Sequence, residues 1–573
     1  MSGSSTPRPP SESGLHEFWL SIMPGNEHTG ELDEHTMEYE EYPPEYEEYL
    51  PGLDEHISEA ADPVSMAVPI TEEEAKGYYV GLASCPKLVA RSNANEPWSE
   101  RQDFWTVRKT IDPIGNHAII PLWNIANSSL RQAIIATLKD INWTAIDILR
   151  VGYSRRLHTV DEPDDMFPKL LISVQPESTT WEVGFDVTLR CRHVLQQHGV
   201  NDTEVEIMEA CVSMSNIPKL TSQPITEEIQ ESAQLSEFIG TSIASEASPK
   251  GEGTKGFYVR LKETGKLLFV TCRHVILPGN VANVDYHHND NTPIMVVQPG
   301  ERTYPMIIGY ITARITSLQD DIYNLVQGER DELNRLQDML ATFDKLRDLK
   351  SRIIGHVLFS PKYGCGFSES GAELLRDWAL VEPHQDRHET VFDEIKNRVV
   401  AGPGANRQRD RFIIQELSAD QRGEFKNQLL IDHHTKTYEL SRTVQGLETR
   451  WPFHVAQSIE NENAMLVAKF GRSTGLTFGV ANEVQSVRRQ VFDKEIISEE
   501  WCMLGTKKKG ECRTLFSAPG DSGSCILDMY GRIAGMVTAG KDIGDGRPDT
   551  TYATPIEWLL ADIRKCGFDV TLA

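Results

Sequence analysis

Apolar content rises at about Gly77, and from there the spacing of apolar positions predicts an α/β module. Ser128 or Ser129 can cap a helix in which Leu130, Ile134 and Leu138 recur every fourth residue. Ile146 to Val151 and Lys169 to Val174 read as strands, Trp181 to Gln197 as a helix closed by Gly199, and Thr203 to Met208 as a further strand. Together these predict a two-layer sandwich over residues 76–215. Ser215 to Ser236 is polar and contains Pro218 and Pro224, so an interdomain linker is placed at 216–235.

Beyond the linker the texture changes to short β-branched runs separated by Gly, Pro and Asn. Gly256 to Leu261, Leu267 to Cys272, Met306 to Ile311 and Ile353 to Phe359 predict an antiparallel β-barrel. One segment, residues 318–350, has helical spacing instead, with Leu333, Leu336, Leu340 and Phe343 three and four apart and Gly328 as a point of division. Its apolar stripe either packs on the barrel or forms a partner-binding coiled coil, although two heptads are short for the latter.

At 573 residues the chain exceeds what one core accommodates, since single cores stop growing near roughly 250–300 residues. Residues 1–75 hold nineteen acidic residues against the single Arg8, a self-repelling composition that predicts a disordered tail. Within it Tyr39, Tyr42, Tyr46 and Tyr49 alternate with glutamates and prolines, which suits either a solubilising tail or an acidic-aromatic segment that binds a protein partner. The net charge of -28 argues against nucleic acid as a partner. No signal peptide and no uncharged apolar run of spanning length is visible, so a cytoplasmic or nuclear, non-secreted and membrane-free protein is expected. The nine cysteines are scattered, with no Cys-x-x-Cys pair, and suggest neither a disulfide framework nor a metal site.

The chemistry concentrates near the C-terminus. Gly520-Asp521-Ser522-Gly523-Ser524 follows Pro519 and precedes an apolar strand, and a serine between glycines at a turn exposes its hydroxyl. The backbone N–H groups of Gly520 and Ser522 are then available to a developing oxyanion. Gly-Asp-Ser-Gly arises by chance in a chain this long on the order of once in a hundred. A serine needs a base, and two similar tetrapeptides offer one. Cys191-Arg192-His193-Val194 lies in mid-helix, whereas Cys272-Arg273-His274-Val275 follows a strand in the β-rich region, which favours His274. The base needs a carboxylate that fixes its tautomer, and Asp377 enters the apolar run Trp378 to Val381. A local turn cap is the plainer reading of that aspartate.

With His274, Asp377 and Ser522 in this chain order, residues 236–573 resemble the trypsin-like (chymotrypsin-fold) serine protease domains. The whole chain resembles such peptidases in intracellular multidomain fungal proteins. The resemblance implies a multidomain fold, an α/β two-layer module followed by an all-β double-barrel domain with a helical insertion at 318–350 and an inter-barrel segment at 385–452. Pro555 to Cys566 is similar to the family's terminal helix. Gly471 to Gly479 is similar to a strand and turn at the start of the second barrel, in which an arginine pairs with the aspartate before the nucleophile. It thereby implies that Arg472 holds Asp521 as a built-in clamp. The alternative is a zymogen activated by cleavage that frees Ile239. The resemblance also places Phe516, Val537, Thr538, Ala539 and Gly540 around an apolar or small specificity pocket. Val275 stands where secreted members carry a cysteine. The expected activity is that of a serine endopeptidase acting on protein or peptide substrates through an acyl-enzyme, without cofactor or metal. The alternatives are an inactive protease-like binding module, or a signalling protein whose α/β module and acidic tail bind partners.

Overall fold

The computed structural model describes residues 69–573 apart from internal stretches, of which 99–107, 155–164, 215–233 and 423–436 are the longest. Most of the acidic segment and most of the linker fall outside the described residues. The helix Glu72–Gly77, with the Thr71 hydroxyl accepting the Glu74 N–H at 3.1 Å, begins inside the last residues of that segment. Pro63–Ala573 forms one compact unit.

The α/β module contains strands β1 (Lys87–Arg91), β2 (Arg108–Asp112), β3 (Trp143–Ser154), β4 (Asp165–Val174), β5 (Glu204–Glu209) and β6 (Cys211–Met214). Helix α1 (Ser129–Thr137) is capped by Ser128, whose hydroxyl accepts the Arg131 N–H, and α2 (Trp181–Gln197) links the parallel pair β4 and β5. Both helices bury their apolar stripes on one sheet face, where Leu130, Ile134, Val187, Cys191 and Leu195 meet Ile146, Leu170, Ile172 and Ile207. This is the two-spacing pattern of the sequence made physical, period 3.6 over period 2.

The first barrel is a closed circuit. Strand β7 (Ser242–Ser245) pairs with β8 (Ser248–Thr254), which continues into β9 (Phe257–Leu261); β9 pairs with β10 (Leu267–Thr271). The remaining strands are β11 (Met295–Val297), β12 (Ile353–Ser360) and β13 (Ala379–Pro383), joined in the order β10–β13–β12–β11–β7. The second barrel uses β14 (Leu466–Gly471), β15 (Gly475–Ala481), β16 (Ser486–Arg489), β17 (Ile497–Gly505), β18 (Cys525–Asp528), β19 (Arg532–Asp542) and β20 (Thr550–Pro555). Its circuit runs β14–β15–β17–β20–β19–β18 and back to β14. One core reaches across both barrels, from Phe257, Phe269 and Trp378 to Phe470, Leu527 and Trp558.

Two expectations change. Met306 to Ile311 is helical, part of α3 (Thr303–Asp320), which is followed by α4 (Gln327–Asp344). The short window is rich in isoleucine and looks like a strand, but Ile307, Ile311, Ile315 and Leu318 recur at three and four and dictate a helix. The stripe of α4 (Leu333, Leu336, Phe343) packs on those residues of α3 rather than on the barrel, and Gly328 lies within the first turn of α4. The segment 385–452 contributes Val399, Val400, Phe412, Leu417 and Tyr438 to the shared core, with the Phe412 ring 5.2 Å from that of Phe478 of β15 and tilted by 33° to it. Among the described residues no helix is long and apolar enough to cross a membrane.

The α/β module does not end at its own edge. β3 pairs with β16, Ile146 opposite Val487, so its sheet runs on into that of the second barrel. Polar ties cross the same seam: Trp123 Nε1 donates to the Gln485 carbonyl, Arg131 pairs with Glu499, and Arg513 pairs with Asp112. Deepest is Asp147 of β3, which meets Lys541 of β19 at 2.6 Å with both side chains buried, and which also accepts from the Tyr552 and Ser486 hydroxyls. Removing one partner of a buried pair strands the other charge. Asp147→Ala is therefore expected to cost about 3–5 kcal/mol in urea denaturation, far more than the loss of an exposed pair such as Lys76–Glu72.

Candidate active site

Strand β10 ends at Thr271, and the single helical turn Arg273–Ile276 that follows carries His274. Asp377 lies just before β13. It accepts twice from His274, from the backbone N–H at 3.1 Å and from Nδ1 at 2.6 Å. A carboxylate only accepts, so Nδ1 carries the proton and Nε2 is left as the basic nitrogen. The residues around the pair are fixed in turn. The Arg273 guanidinium donates to the carbonyls of Ser360, Pro361 and Val284, while Arg376 and the Trp378 indole both donate to Asp562. Asp562 belongs to the terminal helix α5 (Ile556–Lys565), so an element following the second barrel holds the loop that carries Asp377.

Ser522 sits in the turn before β18. Gly520 has φ +101° and Gly523 φ +92°, backbone that favours glycine. Neither the Gly520 nor the Ser522 N–H has a hydrogen-bond acceptor among the described residues, while the Gly523 N–H donates to the Val537 carbonyl. The Ser522 hydroxyl donates to the Thr538 carbonyl at 3.1 Å, and His274 Nε2 is buried without a partner. The nucleophile and base candidates share neighbours: the Val537 carbonyl accepts from both Gly523 N and the Cys272 thiol. A side chain at Gly253 would strike both Val275 and the Ser522 carbonyl, so a glycine there lets the two loops close. Ser522 is fully buried and His274 is 6% exposed.

The clamp on Asp521 differs from expectation. Arg472 does not reach it; its guanidinium pairs at 2.7 Å with Glu252 of β8 and donates to the Thr303 hydroxyl. The cation at Asp521 is Lys469, at 3.0 Å with both groups buried. The reason is the strand's geometry. Lys469 points inward from β14, and Gly471 leaves room for the carboxylate, since a Cβ there would lie 2.5 Å from Asp521 Oδ1. Arg472 follows the end of that strand and crosses to the first barrel. Asp521 also accepts from the N–H groups of Ser473, Thr474 and Ala518 and from the Thr474 hydroxyl. Burial draws the Lys469 ammonium below its ordinary value, and Asp521 opposes that shift. The Ile239 N–H donates to the carbonyl of Arg398, in the strand Arg398–Val400 of the segment 385–452, and the cation beside Asp521 is Lys469.

Phe516 is buried and packs with Met465, Trp501, Met503 and Val537 in the second-barrel core. Val537, Thr538, Ala539 and Gly540 form a buried stretch of β19, and the Thr538 carbonyl accepts from the Ser522 hydroxyl. His193 is exposed on α2, facing Gln197, far from any such arrangement. Cys272 lies within 4.8 Å of the His274 and Asp377 ligand atoms. Burial and then the Asp377 charge push its thiol well above its ordinary value. Sequence reasoning missed Lys469, whose signal is a lone cation in the apolar run Leu466 to Gly471. It also missed Glu500, a carboxylate buried in β17 and pushed up to about 7 by burial, with the Asp377 charge adding to the shift and Arg488 opposing it.

No protein-family model matches the chain, and no curated protein matches it by sequence. Solved structures similar to it include a glutamic-acid-specific serine protease that uses a histidine triad in substrate binding, at 11% identity and TM-score 0.28, covering 59% of this chain and 100% of that one. Protease A of Thermobifida fusca matches at 12% identity and TM-score 0.26, over 59% of this chain and 97% of that one. A chymotrypsin of Cellulomonas bogoriensis matches at 12% identity and TM-score 0.24, with the same coverage. These scores carry no argument about activity, which rests on the residues themselves.

Two outcomes follow from the site's packing. Lys469→Met leaves Asp521 buried without its cation and is expected to lower stability by about 3–5 kcal/mol in urea denaturation, and to slow the reaction of Ser522 with a fluorophosphonate. Glu500 is raised in the folded state from an ordinary 4.5 to about 7, so the native protein holds a proton that the unfolded chain loses. Its contribution is present below pH 4.5 and is lost as pH rises through 7, on the order of 3 kcal/mol. Glu500→Gln should remove that fall, read as urea midpoints between pH 4.5 and pH 8.

Proposed function

We propose that the chain is a serine endopeptidase whose chemistry resides in residues 236–573, with residues 76–215 as an attached module. The observation that carries this reading is the His274 ring, held by Asp377 through Nδ1 with Nε2 left over, beside a glycine-flanked serine with two N–H groups to spare. Ser522 turns its hydroxyl from the Thr538 carbonyl toward His274 Nε2, which takes the proton as the oxygen attacks a peptide carbonyl. The Gly520 and Ser522 N–H groups receive the oxyanion, worth about 3–4 kcal/mol per donor in related chemistry. His274 then returns the proton to the leaving amine, and water repeats the sequence to release the acid. Lys469 and Asp521 act as positioning residues that hold the turn.

A second reading has one observation in its favour. The Ser522 hydroxyl is fully buried and engaged with Thr538, as in a protease-like module used for binding. Hydrolysis of a fluorogenic peptide library by the full chain separates the two. Ser522→Ala and His274→Ala are each expected to lower turnover by a factor on the order of a million, and His193→Ala is expected to leave it unchanged. Turnover that survives Ser522→Ala, or that His193→Ala abolishes, contradicts the proposal.

A further inference from the structure

Strand β6, the last described element before residues 215–233, does not pair with its neighbours in the module. It pairs antiparallel with β19: Met214 stands opposite Ala539, Ser213 opposite Gly540, Val212 opposite Lys541 and Cys211 opposite Asp542. These β19 residues directly follow Thr538, whose carbonyl holds the Ser522 hydroxyl. On its other side the same stretch pairs with β20. Without β6 the segment from Ala539 to Asp542 is an open edge beside the nucleophile, an unpaired row of N–H and C=O groups of the kind to which an extended peptide adds as a strand. The pairing also gives β6 a direction: from Cys211 to Met214 it runs toward Thr538 and Ser522.

We infer that β6 occupies the peptide-binding edge of the active site, so that the chain is restrained by its own α/β module. The inference rests on the protease reading above for what the edge serves, while the occupancy rests on the pairing alone. The module has the means to keep β6 in place. Ala145 of β3 packs on Ala539 and Tyr552, Asp147 is locked to Lys541 within the paired stretch, and the Thr144 hydroxyl donates to the Ala210 carbonyl just before β6. A covalently tethered strand competes at an effective concentration in the millimolar range for a short flexible tether, well above most free peptides. Release requires that β6 peel from the edge, where water takes over the main-chain hydrogen bonds that are lost. The contact is therefore breakable without unfolding either barrel.

Successive N–H groups along a strand point to opposite sides, so replacing both Val212 and Ser213 by proline removes at least one donor to β19. The double variant V212P/S213P is expected to react with a fluorophosphonate at Ser522 at least tenfold faster than the parent chain, with the melting temperature confirming that the fold is kept. Asp542→Cys puts a cysteine at the position that the backbone register pairs with Cys211. Oxidation of that variant is expected to slow labelling at least tenfold relative to its reduced form, with recovery on adding a reductant. Labelling unmoved by both changes overturns the inference. Occupancy is read separately in a Ser522→Ala background, by the fluorescence polarisation of a labelled peptide with the sequence of residues 208–217. That peptide should bind the proline variant and not the parent. Failure to bind either overturns the occupancy, whereas binding without labelling in any variant overturns the protease reading and leaves the occupancy standing.

Discussion

Much of the site depends on Thr254, at the end of β8 where the first barrel meets the second. Its backbone N–H donates to the Ser522 carbonyl at 2.8 Å and its hydroxyl donates to the Gly520 carbonyl at 2.9 Å. The same hydroxyl oxygen accepts from the Arg472 N–H, and its carbonyl accepts from the hydroxyl of Thr271, the residue before Cys272-Arg273-His274. One residue thus fixes the turn that carries Ser522 against the strand that leads to His274. Thr254 holds the carbonyls of Gly520 and Ser522, and among the described residues the N–H groups of the same two residues have no acceptor. A network this buried is costly when half made and specific when complete.

The Ser522 hydroxyl and the His274 Nε2 are both buried; the first donates to the Thr538 carbonyl and the second has no hydrogen-bond partner among the described residues. A lone buried acceptor costs about 1–3 kcal/mol. Rotation of the Ser522 hydroxyl from the Thr538 carbonyl to that nitrogen is the step the proposed mechanism requires. The β6 strand lies over the segment that follows Thr538, so occupancy of the edge and the orientation of the serine are coupled through a single stretch of β19.

How much of this was legible in the sequence depends on the range over which each signal acts. Helix α2 and the strands of the module follow from local periodicity and match the pattern within a few residues, because burial against one sheet face sets period and boundary together. The pairing of His274 with Asp377 could be anticipated because a buried carboxylate in an apolar run needs a donor and chemistry supplies a short list of donors. Met306 to Ile311 was misleading because six residues are too few to separate two periods. The resemblance that implied Arg472 as the partner of Asp521 passed over Lys469, because a place in a motif says nothing about which side chain near a strand end faces inward. The pairing of β6 with β19 joins residues more than three hundred positions apart, and nothing in either segment's composition announces it.

The account's central claim is that Ser522 is a nucleophile activated by His274 in the intact chain. The direct measurement is to expose the uncleaved 573-residue protein to a fluorophosphonate and locate the adduct by peptide mass mapping. The account predicts a single adduct on Ser522 that disappears in His274→Ala. An adduct on another residue, or a Ser522 adduct formed equally fast without His274, would contradict it.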